Sequence, residues 1–201
     1  HDDDLRRVAD DPRAIADVRL HEIEELMSER GGLITLVQAL ESFPDVRFNL
    51  DVKAAAAAGE VGRLVAPHAE RVLVTSFSDE RRRDALAAAR AAGARMRPAT
   101  SPGSATIARL LAARALHRTR LVRSLLSEVD ALQIPERQGP IPVVTRGLLR
   151  DAHAAGVEVH VWTVNDEDDM SRLLDLGVDG LVTDRADAAI ALVNTRGTAA
   201  V

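Results

Sequence analysis

From residue 47 onward, short β-branched runs alternate with longer alanine- and arginine-rich stretches of helical period. This is the pattern of repeated βα units built on a parallel sheet. The spacing predicts six strands, at 47–52, 71–76, 94–98, 131–134, 157–164 and 180–183. Helices are expected at 54–70, 79–92, around 107–126, 145–155, 166–176 and 186–192, the first of them interrupted by Gly59, Gly62 and Pro67. Asp79, Asn165 and Asp184 stand where helix N-caps belong, and Gly156 and Gly177 stand where helices give way to the next strand. The first 46 residues are different, with an acidic start, a charged helix at 21–30 and a second helix at 35–43 closed by Pro44.

The strand faces separate two architectures. In 157–164 the odd positions Val157, Val159, Val161 and Thr163 form a β-branched face suited to packing under helices, while Glu158, His160, Trp162 and Val164 form a mixed one. In 47–53 the apolar face is Phe48, Leu50 and Val52, and Asn49, Asp51 and Lys53 share the other by the two-residue period. An open parallel sheet covered on both sides would be apolar on both faces. Polar inward faces near strand ends fit instead an α/β barrel of the (β/α)8 (TIM) type opening on an active site, although six strands are two short of that fold. The 201 residues are expected to form one domain, 1–201, a barrel that lacks its first two strands.

Composition narrows the function. Net charge is −5 and the arginines are interspersed with carboxylates, which argues against a nucleic-acid partner. Aromatic content of 2%, with no tyrosine and one tryptophan, leaves no row of stacking platforms and makes Trp162 conspicuous. Cysteine is absent, so disulfides and thiolate metal sites are excluded. No apolar run approaches the roughly 18 residues of a membrane span. A secretory signal is not visible, which slightly favours the cytoplasm; because the chain opens on His1 rather than methionine, a targeting segment ahead of it stays open. The oligomeric state is not encoded in any of these features.

Twenty-five arginines accompany a single lysine, Lys53, at a strand end. Lysine brings a compact ammonium with three donors, where arginine brings a rigid fork. Asp51 and Lys53 project the same way, roughly 6 to 7 Å apart along the strand. That spacing suits a hard cation and a phosphate oxygen held side by side, and it equally suits an internal ion pair. His1 is a candidate general acid or base, set against the mobility expected of a first residue. The other histidines lack partners at metal-ligand spacing.

Several segments carry a resemblance. Val159-His160-Val161-Trp162-Thr163-Val164-Asn165, followed by Leu176-Gly177-Val178-Asp179-Gly180-Leu181-Val182-Thr183-Asp184-Arg185, resembles the closing signature of the glycerophosphodiester phosphodiesterases. His1-Asp2-Asp3-Asp4-Leu5-Arg6-Arg7 is similar to their H-D-x-x-L-x-R segment, Thr35-Leu36 to T-L-x-x-x-L, Asn49-Leu50-Asp51-Val52-Lys53 to N-I-E-I-K, and Ser76-Phe77 to an S-F strand end. The resemblance implies a (β/α)8 barrel that hydrolyses small-molecule glycerophosphodiesters to glycerol 3-phosphate and an alcohol with a divalent cation, Ca2+ or Mg2+. It implies that His1 is one of two acid/base histidines, that Asp51 is a metal carboxylate in a position the family fills with glutamate, that Lys53 faces the phosphate, and that Trp162 lines the pocket for the apolar part of the substrate. A core role for Trp162 is the structural alternative.

No H-R-G motif and no E-x-D pair followed by a strand end precedes His1, so the isolated chain is expected to be inactive. A non-catalytic binding or partner-assembled module is the alternative in a different functional class.

Overall fold

The structure, a computed structural model, describes residues 2–198, with side chains as far as Arg196. The chain forms two compact units, His1–Val46 and Arg47–Val201.

The first unit is helical. It holds α1 (Arg6–Ala9), a 3-10 turn at Ile15–Asp17, α2 (Leu20–Met27) and α3 (Leu36–Ser42). Its small core gathers Leu5, Ala9 and Val18, with Ile23 and Leu26 packed against them. Arg13 bridges Asp11 at 2.6 Å and Glu22 at 2.9 Å. The start of α3 is fixed by a reciprocal cap: the Gln38 N–H donates to the Thr35 hydroxyl and the Thr35 N–H to the Gln38 side chain.

The second unit is α/β. Its helices are α4 (Ala55–Val65), α5 (Asp79–Ala91), α6 (Ser104–Ala115), α7 (Thr119–Leu126), α8 (Arg146–His153), α9 (Glu167–Leu176) and α10 (Ala186–Thr198). Strands β1 (Phe48–Asp51), β2 (Val72–Thr75) and β3 (Ala99–Thr100) form one parallel sheet in that order. A second parallel sheet holds β4 (Ala131–Pro135), β7 (Glu158–Trp162) and β8 (Gly180–Leu181). Between β4 and β7 lies a short antiparallel hairpin, β5 (Arg137–Gln138) and β6 (Ile141–Pro142).

The two sheets meet at a seam. The Asp130 N–H donates to the Thr100 carbonyl at 2.9 Å, the Thr100 N–H returns to the Asp130 carboxylate at 2.8 Å, and the Gln133 N–H reaches the Ser101 hydroxyl at 3.0 Å. Side-chain oxygens thus continue the ladder where backbone pairing lapses. Among the described residues β1 and β8 each pair with a strand on one side only.

The expected faces hold as far as Trp162, where the strand ends; beyond it they exchange, with Thr163 exposed and Val164 buried in the core. Val157, Val159 and Val161 are buried with Leu132 and Ile134 under Leu110, Leu126, Leu148, Leu149, Met170 and Leu173 from α6 to α9. Full burial of such a side chain stabilises by about 1.5–3 kcal/mol. On the inward face His160 fits because Gly180 is its neighbour in register; a Cβ at Gly180 would lie 2.7 Å from the imidazole.

Four expectations are corrected. The third strand is not 94–98 but Ala99–Thr100: Pro98 has no N–H to give a ladder, Met96 is exposed, and Thr100 bonds the Val74 carbonyl at 2.7 Å. The helix at 107–126 is two helices, broken where His117 takes a left-handed φ of 53°. The helix at 54–70 ends at Val65 and continues as a 3-10 segment from Ala66 with Pro67 near its start. N-capping shifts by one residue: Ser78 caps α5 and Asp166 caps α9, while the Asn165 side chain instead joins Thr183 and Asp184. Gly177 ends α9 with φ 101°, as its position required.

Candidate active site

Asp51 closes β1, paired in register with Thr75 of β2. Two residues on, the Lys53 ammonium lies 2.5 Å from Asp51 Oδ2, both side chains about one-third exposed at 36% and 34%. The pair is therefore solvent-accessible rather than internal, which the strand period alone left open. The backbone between them is anchored on both sides: the Val52 N–H donates to the Thr75 carbonyl at 2.8 Å, and the Val52 carbonyl accepts from the Ser76 hydroxyl at 2.7 Å.

Trp162 closes β7, in register with Pro135 at the end of β4. Its ring is half-buried and meets Phe77 edge-on, with centroids 6.1 Å apart and an interplanar angle of 75°. Phe77 in turn covers Lys53, with Nζ 4.6 Å from the ring centroid. Asp51, Lys53, Phe77 and Trp162 therefore form one chain of contacts at the C-terminal ends of strands from both sheets. That end of a barrel is where TIM-type enzymes carry their chemistry.

Phe77 has no role in the sequence reading beyond its place in an S-F strand end. A signal was available: it is one of three phenylalanines, and it stands in the turn immediately after a strand. His1 lies outside the described residues. Its neighbour Asp2 pairs with Arg7 at 2.6 Å.

The turn carrying Phe77 is well supported. Ser78 accepts from the Arg81 N–H, and Asp79 accepts from the Gly103 N–H at 3.0 Å and the Thr106 hydroxyl at 2.9 Å while pairing with buried Arg82 at 3.3 Å. Burial pushes the Asp79 carboxyl upward, but these donors and the guanidinium outweigh it and hold the group below its ordinary range.

Among the described residues no three His, Asp or Glu side chains converge as a metal cage. Asp51 offers one carboxylate, and one of its oxygens already serves Lys53. These residues alone do not hold a Ca2+ or Mg2+ ion. A separate open cavity of about 500 Å3 lies between the free edges of β1 and β8, lined by Asn49, His160, Leu181, Val182, Thr183 and Ile190. It does not include Asp51, Lys53 or Trp162.

Residues 1–188 match the profile of the glycerophosphoryl diester phosphodiesterase family. The chain belongs to that family. It is 39% identical over 166 residues to a Mycobacterium tuberculosis protein named "Probable glycerophosphodiester phosphodiesterase 2", covering 81% of this chain and 61% of that one. The chain thus spans about three-fifths of that relative's length. Among solved structures it is similar to an Oleispira antarctica phosphodiesterase in complex with the product sn-glycerol-3-phosphate, at TM-score 0.65 and 21% identity, covering 96% of this chain and 78% of that one. A glycerophosphodiester phosphodiesterase from Parabacteroides distasonis gives TM-score 0.64 and 19% identity, covering 98% and 77%. These phosphodiesterases confirm an α/β fold of TIM-barrel type. No helix among the described residues is long and apolar enough to cross a membrane.

Proposed function

We propose that this chain supplies the phosphate-facing part of a glycerophosphodiester phosphodiesterase, an enzyme that releases glycerol 3-phosphate and an alcohol from small glycerophosphodiesters. The single observation that carries the reading is the Asp51–Lys53 pair at the end of β1, open to solvent and joined through Phe77 to Trp162. The family membership and the product bound to the Oleispira antarctica protein support the same substrate class.

In this reading the Lys53 ammonium neutralises charge developing on a phosphoryl oxygen, where a preformed cation is most effective. Trp162 lines the side that receives the alcohol. His1 protonates the departing alkoxide. Asp51 contributes one carboxylate to a divalent-cation site, for Ca2+ or Mg2+, whose remaining ligands come from outside the described residues. The unit Arg47–Val201 supplies six parallel strands of such a barrel, of which β1 and β8 each pair on one side only among the described residues. A second histidine and further metal carboxylates come from outside the described residues, and the 201 residues alone have negligible activity.

The test is release of glycerol 3-phosphate from glycerophosphocholine with Ca2+ or Mg2+, by the 201-residue chain and by the same chain extended with the segment encoded directly upstream of His1. Turnover is expected only in the extended protein, with that segment supplying a strand ending in H-R-G and an E-x-D pair. Robust metal-dependent turnover by the 201 residues alone would overturn the division of the site.

A further inference from the structure

Phe77 is a half-exposed aromatic side chain, 53% accessible, in a position that core packing does not explain. Its backbone is nevertheless held firmly. Ser76 before it is buried and donates to the Val52 carbonyl, Ser78 after it caps α5, and its own carbonyl accepts from the Ser104 N–H at 3.0 Å at the start of α6. That last contact requires Gly103, since a Cβ there would lie 2.8 Å from the Phe77 carbonyl oxygen and 2.8 Å from the Asp79 nitrogen. A rigid turn therefore presents an apolar ring to solvent.

The ring has two occupied surfaces. One lies against the Lys53 ammonium at 4.6 Å, within the range where a cation is attracted to an aromatic ring. The other meets Trp162 in the edge-to-face arrangement that aromatic quadrupoles favour. Phe77 leaves the end of β2 in one sheet, and Trp162 closes β7 in the other. Lysine has a long flexible stem, and a pairing with Asp51 that is one-third exposed restrains it weakly by itself. A fixed ring on a second side restricts the ammonium to a small volume.

We infer that Phe77 is a positioning residue: it holds the Lys53 ammonium in place and couples it to Trp162, so that an anion engaging Lys53 and an apolar group engaging Trp162 bind to one connected unit. This rests on the phosphate-facing role proposed for Lys53. The positioning itself is a geometric statement, testable without activity.

The chain provides its own probes, since Lys53 is its sole lysine and Trp162 its sole tryptophan, with no tyrosine. Lysine labelled with 13C at Cε gives one side-chain resonance. In the 201-residue protein the attached protons should lie upfield of free lysine because of the Phe77 ring current. Phe77→Leu should abolish that shift while leaving the far-ultraviolet circular dichroism unchanged, and Phe77→Tyr should retain it. Lys53→Met should change Trp162 emission in the parent and leave it unchanged in the Phe77→Leu background. A Lys53 resonance at the free-lysine position in the parent, or identical resonances in the parent and Phe77→Leu, would overturn the inference.

In the complete enzyme Phe77→Leu should lower kcat by roughly threefold, the scale of one exposed cation–ring contact, with Phe77→Tyr restoring it. Phe77→Leu should have no further effect when Lys53 is already alanine. If the resonances behave as expected but kcat does not respond, the phosphate-facing role of Lys53 fails and the positioning stands.

Discussion

The Ser76 hydroxyl donates to the Val52 carbonyl at 2.7 Å, across 24 residues of sequence, and so ties the turn after β2 to the residue immediately before Lys53. Ser76 also accepts from the Ser78 N–H at 3.2 Å. One buried hydroxyl thus sets the relation between the turn that carries Phe77 and the strand end that carries Lys53. Ser76→Ala should cost about 1–2 kcal/mol, because a carbonyl in a buried setting loses its donor. Urea unfolding of the two proteins measures this; an unchanged midpoint would show that the hydroxyl has no such role.

Asp79 makes stability depend on acidity. Its carboxyl is held below its ordinary value of 3.8 in the folded protein. The folded state therefore binds this proton less readily than the unfolded chain. The stabilisation is fully present above about pH 4 and falls away as pH drops through the lower folded value. Asp79→Asn should flatten the acid limb of a thermal-denaturation profile, and Asp79→Ala should cost about 3 kcal/mol near neutrality by leaving the buried Arg82 guanidinium without its carboxylate. An acid limb identical to that of the parent would exclude Asp79 as its source.

Gly62 is required by helix contact rather than by backbone conformation. A Cβ there would fall 2.1 Å from the Ala85 carbonyl oxygen and 2.6 Å from the Ala88 Cβ, so α4 and α5 approach through this point. Gly62→Ala should destabilise by about 1–3 kcal/mol despite alanine's better helix propensity. By contrast, Gly59→Ala in the same helix meets nothing within 4 Å and should be neutral or stabilising. Chemical denaturation of the pair distinguishes packing from propensity directly.

In the complete enzyme, Lys53→Ala should lower kcat by about a hundredfold, the scale of removing one preorganised charge contact, with little change in metal affinity. Asp51→Ala should instead weaken the dependence on metal concentration. Activity measured across a metal titration separates the two, and the reverse pattern would exchange their roles. Lys53→Arg should restore only part of the rate, since the guanidinium is planar and directs its donors differently.

The alternation of strands and helices was legible because burial imposes it: the β-branched face of β7 and the apolar residues of β1 read directly as sides of a sheet. The third strand lies beyond 94–98 because Thr100 and Ser101, both fully buried, look like loop residues and are accommodated through bonds to Val74 and Gln133 from elsewhere in the chain. The break at His117 carries no glycine or proline to mark it, and the β5–β6 hairpin is too short to show a period. The placement of Asp51 and Lys53 at one strand end and of Trp162 at another follows from the two-residue strand period. Phe77 has no such signal, because its two ring contacts join segments far apart in sequence and neither is a local pattern.

An extension at β1 or β8 that keeps all strands of a barrel parallel is restricted in kind. Each of these strands runs parallel to its neighbour. A β-hairpin, whose arms run in opposite directions, could align only one arm with that direction. Two strands that both preserve it must be joined by a crossover of a dozen or more residues, and a helix is the usual way to make one. An engineered complement should therefore be designed as a strand–helix–strand unit, and a tight-turn peptide of the same strand sequences should fail to substitute for it.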